Sequence, residues 1–156
     1  PVLIMDILKG FLAVKMVWLT GKYLPDTQQF INLELSLGIA SLLGHIFPIF
    51  AGFRGGKGVA TLLGILCAVH IGAALICIGV FVLTLILTQY VSLSSMMAAL
   101  TFPISIMFIY HETVPGLNIF AMFVCILVFI THQKNIERLL RGEEGKVGFL
   151  HRRKVS

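Results

Sequence analysis

The chain has 156 residues, 58% of them hydrophobic and only 12% charged, with a mean hydropathy of +0.98. Apolar segments recur along nearly the whole length, which excludes an ordinary soluble domain and points to an integral membrane protein. The net charge is +5, and the tail carries much of it: Lys134, Arg138, Arg141, Lys146, Arg152, Arg153 and Lys154 against Glu137, Glu143 and Glu144, a pattern suited to an anionic leaflet surface and not to nucleic acid.

The chain opens on Pro1 with no basic n-region, reads as an internal start, and gives no ground for a signal peptide. Val2 to Thr20 is an apolar run interrupted by Asp6, Lys9 and Lys15. Asp6 and Lys9 are three apart, share a helix face and can pair. Gly21 to Phe30, with Pro25 and Asp26, is a polar connector. Ile31 to Phe50 reads as a second span, with Glu34 at its start and Pro48 closing it. Cys67, Cys77 and Cys125 are isolated in apolar runs with no CxxC spacing, so they read as small core residues, neither disulfides nor metal ligands.

Between Gly52 and Gly58 lie four glycines, Arg54 and Lys57. A glycine-rich backbone can turn N–H groups toward an anion, and the following apolar run can start a helix whose N-terminus favours negative charge. The stretch reads as a phosphate cradle at the membrane surface; the plainer alternative is a flexible basic loop that sets topology. It is not a nucleotide P-loop, because Ala51 stands where the first glycine is needed and Gly58 where the hydroxyl is needed.

Gly58 to Thr88 carries no Asp, Glu, Lys or Arg. One straight helix over that stretch would be about 46 Å long, against a hydrocarbon core of about 30 Å. The expected break is at His70, dividing a short helix over 58–69 from a full one over 71–88; His70 reads as an interfacial turn residue, and the short piece as a broken or half-inserted helix. Residues 89–95 form a hydroxyl-rich junction whose serines could cap the next helix. Spans over 96–110 and 117–131 follow, separated by residues 111–116. No internal repeat is present.

The positive-inside rule wants the Arg54/Lys57 loop and the basic tail on one side, which needs an even number of crossings between them. The expected fold is therefore all-α and polytopic: six membrane segments, one short or broken, with both ends cytoplasmic, in a single integral-membrane domain over 1–156. Residues 132–156 would form a cytoplasmic juxtamembrane helix and basic tail. His132 and Asn135 share one helical face and can both donate hydrogen bonds to an oxyanion. Ile136, Leu139 and Leu140 would lay this helix along the bilayer surface. The glycine loop and the His132/Asn135 face then flank one pocket.

At these stretches the sequence resembles the bacterial membrane acyl-phosphate:glycerol-3-phosphate acyltransferases of the PlsY type. The resemblance rests on Gly44-His45-x-x-Pro48-x-Phe50-x-x-Phe53-x-Gly55-Gly56-Lys57-Gly58-Val59-Ala60-Thr61, on Tyr90-Val91-Ser92-Leu93-x-Ser95, and on His132-x-x-Asn135-Ile136-x-Arg138-Leu139-Leu140-x-Gly142-x-Glu144. Asp6-Ile7-Leu8-Lys9-Gly10 matches the family's usual second-helix start. The resemblance implies seven membrane helices in a complete member. It also implies an earlier SGNxGATN motif, with an arginine shortly beyond it, upstream of the point where this chain begins; a protein without that motif is expected to be inactive.

The activity implied is transfer of a fatty acyl group from acyl phosphate to the 1-hydroxyl of glycerol 3-phosphate at the cytoplasmic face of the bacterial inner membrane. Lysophosphatidic acid and phosphate are the products. His132, Asn135 and Lys57 are the implied catalytic residues. Gly55, Gly56, Lys57, Gly58, Ser92, Ser95 and Asn135 are implied to bind phosphate, with His45, Arg54, Thr61, Arg138 and Glu144 in support. No metal, cofactor or nucleic acid is implied, and oligomeric state stays open. Acyl phosphate is already activated, so substrate phosphate could act as the local base while Lys57 and His132 stabilise developing charge. The alternatives are a small-anion transporter and a lipid-binding membrane subunit.

Overall fold

The structure, a computed structural model, describes residues 2–25, 27–49, 52 and 55–148. All regular structure among these residues is helical: α1 (Val2–Lys15), α2 (Val17–Thr20), α3 (Gln28–Ile46), α4 (Val59–Val69), α5 (Ile71–Thr88), α6 (Val91–Ile104) with a π turn over Ser105–Ile109, α7 (Pro115–Thr131) and α8 (Gln133–Leu140).

Local chemistry sets most of these boundaries. The first apolar run is broken at Met16, so the expected single helix is two. Thr27 caps α3 by accepting from the Phe30 N–H, and α3 ends at Ile46, two residues before Pro48. The break at His70 falls where expected: its backbone leaves the helical region (φ −150°, ψ 87°) and its Nδ1 accepts from the Ala73 N–H at the start of α5. Pro103 lies inside α6 and lacks an N–H; just beyond it the hydrogen bonding slips to five residues, with Tyr110 N–H donating to Ser105 O.

One expectation needs correction. The serines do not cap a helix starting at 96, because α6 begins at Val91 and already contains them; Ser94 and Ser95 donate to the carbonyls of Tyr90 and Val91, four residues back. As for the six expected segments, among the described residues α5 and the continuous stretch Val91–Ile109 are each long and apolar enough to cross a membrane alone. A third counts if α7 and α8, bent by 58° at His132, are taken as one.

Helix α1 packs on α4 with α3 alongside, and α5, α6 and α7 follow as neighbours. The α1–α4 crossing is close because each helix offers a glycine: a Cβ on Gly10 would collide with the Thr61 carbonyl oxygen, and one on Gly64 with that of Ile7. Lys15, at the end of α1, donates to Ala68 O at 2.9 Å and lies 3.6 Å from the buried Glu34 carboxylate. Leu42, Ile65, Phe102 and Ile106 fill the core, while Leu75, Leu83, Ile86, Ile119 and Ile126 face outward from α5 and α7. So much exposed apolar surface suits lipid and not water.

Candidate active site

The site begins where α7 ends. His132 is 1% exposed and closes α7; the chain then bends into α8, whose first turn buries Asn135. Helix α8 stops at a left-handed glycine, Gly142 (φ 71°), where Glu143 N–H donates to Arg138 O and Gly142 N–H to Leu139 O. That reversal carries Glu144 back over α8. The Val147 N–H then donates to Gln89 O and ties the tail to the α5–α6 junction.

The reversal builds a connected polar network. Glu144 Oε1 accepts from Ser92 Oγ at 2.5 Å and Asn135 Nδ2 at 2.6 Å, and Oε2 accepts from Arg138 Nε at 2.8 Å. These donors, the Ser92 hydroxyl first, hold the Glu144 carboxyl down at about 2 against the opposing effect of burial. With its amide nitrogen committed to Glu144, Asn135 presents Oδ1 to Lys57 Nζ at 2.6 Å. Burial lowers the pKa of Lys57, the Glu144 charge partly restores it, and Arg138 lowers it again.

His132 is fixed differently. Its Nδ1 lies 2.8 Å from Val128 O. A carbonyl can only accept, so Nδ1 carries the proton. Burial lowers the imidazole pKa, opposed by the Val128 bond, and favours the neutral ring. A neutral ring protonated on Nδ1 leaves Nε2 as an acceptor.

His132, Asn135, Glu144, Lys57, Gly58, Ser92, Ser95 and His45 all line one cavity of about 730 Å³. Its remaining wall is mostly apolar, from Leu3 and Ile7 of α1, Leu62, Leu63 and Leu66 of α4, Cys77, Ile78 and Phe81 of α5, and Val124 and Val128 of α7. Lys57 and Asn135 also line a second cavity of about 380 Å³ with Lys134 and Arg138. The paired Lys57 and Asn135 thus stand between an apolar chamber and a basic one.

A family model described as glycerol-3-phosphate acyltransferase matches residues 1–142. The chain belongs to that family. It is 36% identical to the glycerol-3-phosphate acyltransferase of Brucella anthropi over 146 residues, covering 94% of this chain and 67% of the relative. Against the namesake from Prochlorococcus marinus the identity is 39%, covering 94% and 71%. Among solved structures, the integral membrane glycerol 3-phosphate acyltransferase PlsY is similar in both its lysophosphatidic acid form and its glycerol 3-phosphate form. Each has a TM-score of 0.82 and 34% identity and covers 96% of this chain; the chain covers 72% of the first form and 70% of the second.

Not every expected residue of the acyltransferase motifs reaches the cavity. Thr61 is fully buried against Gly10 in the α1–α4 contact, with no hydrogen-bond partner for its hydroxyl among the described residues. Ser95 lines the cavity, but its hydroxyl donates to Val91 O. Gly55 and Gly56 lie in the turn beside the cavity, and the Gly55 N–H is taken up by Ile46 O. Arg54 lies outside the described residues. The apolar wall is what sequence reasoning missed: Cys77 reads as a small core residue, and only the helix packing turns it, with Phe81, toward a chamber.

Proposed function

We propose that this chain transfers a fatty acyl group from acyl phosphate to the 1-hydroxyl of glycerol 3-phosphate, forming lysophosphatidic acid and phosphate. Family membership supports the reaction. The observation that carries the site assignment is the Lys57–Asn135–Glu144–Ser92 network set at the edge of a largely apolar chamber, with a basic cavity on its far side. A fatty acyl phosphate needs that combination: an apolar wall for its chain and fixed cations and dipoles for its phosphoryl group.

In this reading Lys57 neutralises phosphoryl charge, and Asn135, oriented by Glu144, holds the ammonium. Ser92 keeps Glu144 in place. His132 presents Nε2 as an acceptor, suited to the hydrogen of the attacking hydroxyl. The oxygen of that hydroxyl bonds to the acyl carbon as the bond from that carbon to the phosphate oxygen breaks; its proton passes to Nε2 and from there to the departing phosphate. Gly58 gives room at the start of α4, and Arg138 braces Glu144 from outside.

For topology, the proposal keeps a single membrane domain with six segments, both ends and the site on the cytoplasmic side of the inner membrane. The short helix α4 lies within it as a segment sheltered by α1 and α3. The decisive experiment supplies labelled glycerol 3-phosphate and acyl phosphate to membranes carrying the protein as its full reading frame encodes it and looks for labelled lysophosphatidate. A transporter would move label across vesicles without making product. Cysteine labelling from each side of the membrane checks the topology; opposite sidedness for positions 57 and 146 would refute it.

A further inference from the structure

Helix α1 reaches the glycine turn through a cluster whose geometry assigns a role to His45. Lys9 Nζ lies 3.0 Å from Asp6 Oδ1 and 2.9 Å from His45 Nδ1, and Asp6 Oδ1 is 3.3 Å from the same ring nitrogen. An ammonium can only donate. The shorter contact therefore makes Nδ1 an acceptor, with Lys9 bridging the carboxylate and the ring. A neutral ring with Nδ1 unprotonated carries its proton on Nε2.

The Nε2 edge faces the turn. A Cβ built on Gly56 would collide with His45 Nε2, and one built on Gly55 would collide with the carbonyl oxygens of His45 and Ile46. The turn before Lys57 therefore lies directly on the end of α3, with Gly56 against the imidazole. These glycines serve close approach at least as much as they offer N–H groups to an anion. Resting on the acyltransferase reading, we propose that His45 is a positioning residue: Asp6 and Lys9 lock it in the Nε2–H tautomer, and its ring braces Gly56 so that Lys57 meets Asn135. His45 and His132, both lining the main cavity, then hold opposite tautomers.

Two measurements test this separately from the reaction. Histidine-selective ¹⁵N spectra of the full chain in micelles, with His45→Gln for assignment, should show His45 protonated on Nε2. Lys9→Met should move the proton to Nδ1, where it can donate to Asp6. A wild-type His45 protonated on Nδ1 overturns the proposal, whether or not the chain makes lysophosphatidate; absence of product with the expected tautomer counts against the reaction alone.

The second measurement is steric rescue. Misplacing Lys57 should cost roughly ten- to a hundredfold, so Gly56→Ala should raise KM for glycerol 3-phosphate by that factor. Adding His45→Ala, which removes the colliding ring, should leave a double variant no worse than His45→Ala alone, because the added methyl then meets nothing. Additive losses in the double variant overturn the brace. Should Gly56→Ala not express, His45→Ala alone decides: it should raise KM about tenfold with kcat less affected, and an unchanged KM overturns the proposal.

Discussion

Replacing Glu144 by glutamine isolates the charge at the centre of the network. Three donors converge on the carboxylate: Ser92 Oγ and Asn135 Nδ2 on one oxygen, Arg138 Nε on the other. Glutamine has one acceptor oxygen, so if it serves Ser92 and Asn135 its own NH₂ meets the Arg138 N–H, donor against donor. A charge-assisted bond contributes about 1.5–3 kcal/mol, so loss of one should lower kcat/KM by roughly ten- to a hundredfold. The variant also makes a prediction whose sign is fixed. Burial depresses the Lys57 pKa and the Glu144 charge partly restores it. Without that charge Lys57 gives up its proton at lower pH, and the alkaline limb of activity should shift downward. Initial rates of lysophosphatidate formation from neutral to alkaline pH, for wild type and Glu144→Gln, measure it. A limb that stays in place or moves upward would refute the coupling between Glu144 and Lys57.

Lys57→Ala should reduce kcat/KM about ten- to a hundredfold, whereas Lys146→Ala, whose ammonium sits over the Tyr90 ring outside the cavity, should change little; equal small effects would return Lys57 to a topology charge. His132→Asn can keep a donor for Val128 O but loses the atom at Nε2, while His132→Gln does the reverse. Glutamine should therefore retain more activity in initial-rate assays, and asparagine outperforming it would move the working atom to Nδ1. Because the folded-state pKa of Glu144 is depressed to about 2, its contribution is fully present above the ordinary carboxylate pKa, declines as pH falls below it, and is gone once pH has passed through about 2. Protection of the Val147 amide against exchange should accordingly hold down to the ordinary carboxylate range and fall progressively below it, and protection that does not change over that interval would count against the network.

The sequence exposed the elements that rest on backbone chemistry or on uninterrupted pattern. The charge-free stretch from Gly58 to Thr88 was too long for one crossing, and the break at His70 is where the helix divides. The His132/Asn135 face follows from helical spacing, and both residues are buried together. Three features were not legible, for separate reasons. The start of α6 was misplaced because Ser94 and Ser95, residue types that favour caps, satisfy themselves on carbonyls four residues back. Thr61 sits in a glycine-rich motif yet serves helix packing, a distinction that needs the position of Gly10, 51 residues earlier. The partners of Glu144 depend on the left-handed turn at Gly142, which sets how far back over α8 the tail folds.

The parts that make the site are those least able to hold a conformation alone. Helix α8 has eight residues, well below the length at which an isolated helix persists in water. Lys57 sits on a turn outside any helix, and Glu144 on a tail beyond the last one. Apolar packing contributes Ile136 and Leu139 to their fastening. The remainder is polar: Lys57 to Asn135, Asn135 and Ser92 to Glu144, and Val147 to Gln89. The contacts that position the reacting groups are therefore the same contacts that dock loop and tail onto the helices. A substitution in the network cannot remove chemistry and leave the architecture untouched, so loss of transfer and release of the tail should track each other across Ser92, Asn135 and Glu144 variants. His132 is anchored instead to Val128 within α7, and there the two losses should separate.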